Sequence, residues 1–209
     1  MTAPLSYLAL GDSYTIGEGV EAEGRWPMQL AAALRTEGVD LDDPRIVATT
    51  GWTTGELAAA LDAEEPLGEY ALVSLLIGVN NQYRGLSPDD YADEFSRLLE
   101  RALGYAGGRA DRVFALSIPD WGVTPFLAES GRDGAVVARE IDLFNAIAQR
   151  ICDDRNVAFV DITPVSRARG AEAVMLVDDQ LHPSAAMYAE WMRLALPVVR
   201  ARLHEACRV

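Results

Sequence analysis

Short apolar runs of strand type alternate with amphipathic helical stripes along the whole chain, and this alternation restricts the fold more than any other feature. Five runs qualify, at positions 5–10, 45–48, 70–77, 112–117 and 157–161, each bounded by Gly, Pro, Asp or Thr turn chemistry. Runs that are apolar throughout need cover on both faces, and strands separated by helices pair in parallel through crossovers. Between the runs, Tyr91, Phe95, Leu98 and Ala102 recur at helical spacing, as do Val137, Ile141, Phe144 and Ile151. The pattern predicts an α/β protein: a three-layer α/β/α arrangement around a five-stranded parallel sheet. No repeat, low-complexity tract or linker interrupts the 209 residues, so one domain over 1–209 is expected.

Helix ends are also written in the sequence. Ser87 precedes Pro88 and an acidic turn, and Thr53 with Glu56 has capping-box spacing. A last helix is expected after His182-Pro183, carrying Met187, Trp191 and Leu194 inward and breaking or kinking at Pro197. The longest irregular stretches, 118–134 and 162–181, follow strands and should lie at the carboxyl edge of the sheet, where open parallel sheets bind ligands.

Composition removes several classes of function. A net charge of −14 has the wrong sign for a partner built on phosphates, which argues against nucleic acid and anionic lipid surfaces. All 18 basic residues are arginines, so phosphate loops built on lysine and Schiff-base catalysis are both excluded. Cys152 and Cys207 are far apart and form no CxxC, and His182 and His204 are the only imidazoles, so no zinc cluster and no cofactor are expected. The run at 5–10 is too short for a signal-peptide core and no basic residue precedes Arg25, which predicts a cytoplasmic protein. Nothing approaches the ~20 apolar residues of a membrane span, and no heptad seam specifies an oligomer.

Gly11-Asp12-Ser13 ends the first apolar run and places a serine hydroxyl at a strand end. Such a hydroxyl becomes a useful nucleophile only beside a base that takes its proton and a group that orients the base. His204 lies among Arg202, Glu205 and Arg208, as a solvated helix end would, which leaves His182. Because it precedes Pro183, His182 should be extended, and the helix that follows disfavours an imidazolium there. Asp179, three positions earlier, is the preferred orienting group over Asp178. Acyl transfer also needs donors for a developing oxyanion. The segment 49–55, with Gly51 and Gly55, and the segment 77–83, with Asn80 and Asn81, are the candidates.

These residues resemble the SGNH hydrolase superfamily, the GDSL esterases and lipases, over almost the whole chain. Gly11-Asp12-Ser13 is similar to the first block, Gly51 to the second-block glycine, Gly78-Val79-Asn80 to the third block, and Asp179-Gln-Leu-His182 to the terminal DxxH. The resemblance implies a flavodoxin-like fold, Ser13 as nucleophile, His182 as base and Asp179 as its orienting acid. It further implies an oxyanion hole from the amides of Ser13 and Gly51 and the side chain of Asn80. One departure stands out: Asn81 occupies the place of the family's usual aspartate, which bears on local hydrogen bonding more than on the chemistry. No GxSxG elbow is present, so the larger α/β-hydrolase fold is the wrong comparison.

The resemblance implies a serine ester hydrolase working on a small-molecule ester. Short acyl or acetyl esters are favoured, acetylated carbohydrates among them. A thioesterase, a lysophospholipase, an acyltransferase and a non-catalytic binding protein are the alternatives. Trp52, Tyr83, Arg84 and Trp121 are expected to line the pocket, with the segment 117–126 as a wall.

Overall fold

The computed structural model describes residues 4–205, and the side chains of 4–203. Five strands form one sheet: β1 Tyr7–Gly11, β2 Arg45–Ala48, β3 Leu72–Leu76, β4 Val113–Leu116 and β5 Ala158–Val160. All pairs are parallel, in the order β2-β1-β3-β4-β5. Each expected apolar run supplies one strand: β2 spans its whole run, β1 starts two residues later and runs on to Gly11, and β3, β4 and β5 are shorter by one or two residues at each end, where turn chemistry takes over. Register aligns Gly11 with Ala48 on one side and Leu76 on the other, so the ends of β1, β2 and β3 open together at the carboxyl edge. The order reverses at β1, making the gap beside its end the topological switch point.

The helices are α1 Ser13–Ile16, α2 Trp26–Thr36, α3 Thr54–Glu64, α4 Val79–Tyr83, α5 Pro88–Tyr105, α6 Leu127–Ser130, α7 Gly134–Asp154, α8 Thr163–Arg169 and α9 Ala185–Glu205. Helix α2 packs on α9, while α3, α5 and α7 pack in series, so the sheet is the middle layer of three. Strands β1 and β3 are buried at every position, as two-sided cover demands. The stripes foreseen on α5 and α7 face the core: Tyr91, Phe95, Leu98, Ala102, Val137, Ile141 and Phe144 are all buried. Ser87 caps α5 and Thr53 with Glu56 forms a complete capping box on α3.

Part of what is expected of the last helix fails. Met187 and Trp191 are buried, but Leu194 is 41% exposed and Ala195 takes the inward position, because the buried stripe steps by four from Trp191. Nor does Pro197 end the helix, which continues to Glu205 with the proline on an exposed position. The irregular stretches are less irregular than expected, since they contain α6 and α8. The expected solvation of His204 and the contribution of Cys207 fall outside the described side chains, while Cys152 is buried within the core and its thiol is pushed up to about 12 by burial.

Candidate active site

Ser13 is the first residue of α1, directly past the end of β1. Asp12 fixes this turn by accepting a hydrogen bond from the Tyr14 amide at 3.0 Å, the usual role of an aspartate N-cap. The turn closes quickly: the amides of Gly17 and Glu18 both donate to the Ser13 carbonyl, at 2.9 and 3.1 Å. Asp12 is wholly buried and its Oδ2 forms no well-made hydrogen bond. Burial pushes its carboxyl up to about 7, against the opposing pull of the Tyr14, Asp12 and Gly78 amides.

His182 arrives from the far end of the chain on a clasped loop. Gln180 sits in the left-handed region with φ 59°, Val177 N donates to the His182 carbonyl at 2.9 Å, and Ser184 N donates to Met175 O at 2.9 Å. Asp179 holds the ring and the loop together. Its Oδ2 lies 2.6 Å from His182 Nδ1, and its Oδ1 accepts the amides of Leu181 and His182, each at 2.9 Å. Partial burial raises the Asp179 carboxyl, but these hydrogen bonds outweigh it and hold the group below the usual aspartate range. With Nδ1 engaged by a carboxylate, Nε2 is the free nitrogen of the ring. The Tyr14 ring meets His182 edge-on at 5.9 Å and is itself braced at 5.9 Å by Trp191.

Opposite this pair, two loops leave the ends of β2 and β3. Gly51 adopts φ 88°, a conformation that a side chain would strain. Gly78 adopts φ 127° before α4, and a Cβ there would run into the Tyr91 ring at 2.6 Å. This glycine therefore lets the chain turn tightly and puts Asn80 in the first turn of α4. Asn80 Nδ2 donates to Trp52 O at 2.9 Å, using one of its two N–H groups.

Asn81 points away, into the protein. Its Oδ1 accepts from Thr54 N at 3.0 Å and its Nδ2 donates to Thr54 Oγ1 at 2.6 Å, while that hydroxyl donates to Glu94. An aspartate could not make the second of these bonds, so the departure from the usual family residue is matched by a partner that needs an amide donor.

Ser13, Tyr14, Thr50, Gly51, Asn80 and His182 line one cleft of about 190 Å³. Its outer wall is aromatic, with Tyr83, Trp121 and Phe126 in mutual ring contact at 5.4, 6.1 and 6.5 Å. Trp121 is fixed by a relay: its Nε1 donates to Gln82 Oε1 at 2.8 Å, and Gln82 Nε2 donates to Glu140 at 2.6 Å. Arg132 closes the relay, pairing with Glu140 at 2.6 Å and standing 5.8 Å over the Trp121 ring.

Of the expected lining residues, Tyr83 and Trp121 reach the cleft but Trp52 and Arg84 do not. The ring of Trp52 packs on the core, and Arg84 turns outward to Gly51 O and Glu56. Tyr14 and Leu181 line the cleft without having been foreseen; their places next to Ser13 and His182 were the available signal. Among the described residues, no group of three or more His, Cys, Asp or Glu is placed to hold a metal ion, and no helix is long and apolar enough to cross a membrane.

The sequence profile of the GDSL-like lipase/acylhydrolase family matches residues 9–190. The chain belongs to that family. It is thereby a GDSL-type carboxylic ester hydrolase. No characterised protein matches the sequence with significance. Among solved structures, TesA superposes with a TM-score of 0.75 at 20% identity, over 94% of this chain and 99% of that one. The acetylxylan esterase Axe2 from Geobacillus stearothermophilus gives 0.71 at 18% identity, over 95% and 96%. The psychrotrophic esterase EstA from Pseudoalteromonas sp. gives 0.66 at 18%, over 97% and 96%. At these identities the likeness is one of fold. The GDSL block that names the family is here Gly11-Asp12-Ser13, at the sheet's switch point.

Proposed function

We propose that this GDSL hydrolase cleaves short acyl or acetyl esters through a Ser13–His182–Asp179 triad and an acyl-enzyme. The observation that carries the reading is the meeting of Ser13 with an Asp179-bound His182 in one cleft, although 169 residues separate the two in sequence. His182 Nε2 takes the Ser13 hydroxyl proton as Oγ attacks the ester carbonyl. The carbonyl oxygen becomes an oxyanion, held by the amides of Ser13 and Gly51 and by the Asn80 side chain. On collapse the C–O bond to the alcohol breaks, and His182 returns the proton to the departing oxygen. Water, deprotonated by the same imidazole, then releases the acid and restores Ser13.

A small acyl group suits the limited cleft and its aromatic stop. Tyr83, 46% exposed at the mouth, offers a ring face on which a sugar could rest, so an acetylated carbohydrate is the narrower form of the proposal. The test is hydrolysis of aryl esters from acetyl to long acyl, and of acetylated xylose oligomers, by the native protein and Ser13→Ala. Turnover confined to short chains and abolished by the substitution is expected. Activity surviving in Ser13→Ala would overturn the nucleophile, and product esters formed with added alcohols would identify an acyltransferase.

A further inference from the structure

The loop carrying Gly51 is fastened from outside the cleft by a cation that makes no contact with the cavity. Arg84, the residue after α4, donates from Nη2 to the Gly51 carbonyl at 2.5 Å. Its Nη1 reaches Glu56 at 3.3 Å. Glu56 is itself fixed, because its Oε2 accepts the Thr53 amide at 2.8 Å within the α3 capping box. On the other side of the Gly51 amide, the Thr50 hydroxyl donates to the carboxylate of Glu18, whose amide is bonded to the Ser13 carbonyl. Thus the Thr50-Gly51 segment that carries the amide is gripped from the nucleophile's turn through the Thr50 side chain and from the end of α4 through the Gly51 carbonyl.

Gly51 has φ 88° and no side chain of its own to hold it there. A glycine crosses easily between conformations, so an external anchor on its carbonyl adds to the turn's own bond in keeping its amide aimed in one direction. A guanidinium on a carbonyl is a charge-assisted bond, stronger than a neutral one and directional at both ends. The loop also closes on itself around Gly51, Trp52 N donating to Thr49 O at 3.2 Å, while its bonds to α4, Asn80 Nδ2 to Trp52 O and Thr54 N to Asn81 Oδ1, hold residues after Gly51.

Resting on the proposed triad and oxyanion hole, we infer that Arg84 is a positioning residue for catalysis: its bond to the Gly51 carbonyl fixes the Gly51 amide as an oxyanion donor. Arg84 touches neither substrate nor the reacting atoms. Its effect should therefore fall on the transition state, where the oxyanion exists, and spare the binding of the ground-state ester.

The experiment compares native protein, Arg84→Met, Arg84→Lys and Ser13→Ala on p-nitrophenyl acetate, with the rate of inactivation by an aryl phosphonate as a second readout. Displacing one donor by a fraction of an ångström predicts a kcat lower by about 10- to 100-fold in Arg84→Met. KM should stay within about twofold, and phosphonylation, which also builds charge on that oxygen, should slow in parallel. Arg84→Lys, able to keep one charged bond to Gly51 O, should recover part of the loss. The melting temperature should move by no more than about 4 °C, since exposed ion pairs contribute little to stability. A kcat within twofold of native, a change in KM alone, or unaltered phosphonylation would overturn the role of Arg84. Should Arg84→Met fail to fold, a kcat and a phosphonylation rate both lowered in Arg84→Lys would support the inference, and a native value in either would overturn it. Activity retained in Ser13→Ala would instead bring down the serine mechanism beneath it.

Discussion

Asp179 divides its two oxygens between the ring and the backbone of His182: Oδ2 faces Nδ1 at 2.6 Å and Oδ1 holds the His182 amide at 2.9 Å. The same carboxylate therefore sets the tautomer of the imidazole and the path of its loop. Asp179→Asn should preserve the loop while presenting an amide to Nδ1, which favours the tautomer with its proton on Nε2, the wrong nitrogen for a base. A fall in kcat of about 10³–10⁴ is expected, with little change in far-UV circular dichroism. A loss below tenfold would mean that the orienting acid is another residue, with Asp178 the next to test.

Asn81 and Thr54 give a second prediction, because Asn81→Asp restores the residue usual in the family yet places a carboxylate where Thr54 Oγ1 now accepts a hydrogen bond. The hydroxyl cannot donate to both this carboxylate and Glu94. With Asn81 only 1% exposed, the variant should lose about 1–3 kcal/mol at pH 8, measured by urea denaturation. Adding Glu94→Gln, which can donate to Thr54 and free its hydroxyl for the new carboxylate, should restore most of the loss. The effect on kcat should stay under tenfold, since Asn80 and not Asn81 lines the cleft.

What the sequence disclosed depended on whether one local rule or many contacts decided the outcome. Strands, caps and the Asp179–His182 hydrogen bond were legible because apolar runs, the Thr53–Glu56 spacing and an aspartate three residues before His182 act over short range. The inward place of Leu194 and a break at Pro197 were misread because helix phase and tolerance of a proline are set by what α9 packs on, not by the residues alone. The wall of the cleft was half legible. Aromatic content pointed to Tyr83 and Trp121, but nothing local to Arg84 shows that it bends back to Gly51, a contact across 33 positions. Likewise Trp52 sits next to Gly51, yet its backbone rather than its ring serves Asn80.

Phe126 bounds the cleft beside Trp121 without belonging to the hydrogen-bonded relay that fixes that ring. Phe126→Ala should lengthen the cleft while leaving Trp121 in place. The ratio of kcat/KM for octanoyl over acetyl aryl esters should rise by about 10- to 100-fold, since each buried methylene contributes about 0.8 kcal/mol and only a few gain room. Activity on the acetyl ester should remain within about fivefold of native. An unchanged ratio would place the acyl group elsewhere in the cleft, with Phe126 facing the alcohol.

Asp12 supplies a prediction on pH whose sign is opposite to that of most carboxylates. Its carboxyl is raised from 3.8 to about 7 by burial, so between those values the folded chain keeps a proton that the unfolded chain has released. Folding stability from this group is complete below pH 4, declines as pH rises, and is lost by the time pH has passed about 7. Three units at about 1.4 kcal/mol each set an upper bound of about 4 kcal/mol. Asp12→Asn keeps an oxygen to accept from Tyr14 N but has no charge to desolvate. The difference in unfolding free energy between variant and native protein should grow in the variant's favour from pH 4 to pH 8, while other titrating groups, common to both chains, cancel. A difference that is flat with pH would mean that Asp12 is ionised in the folded protein throughout this range, its Oδ2 charge met by a partner such as the Gly78 amide.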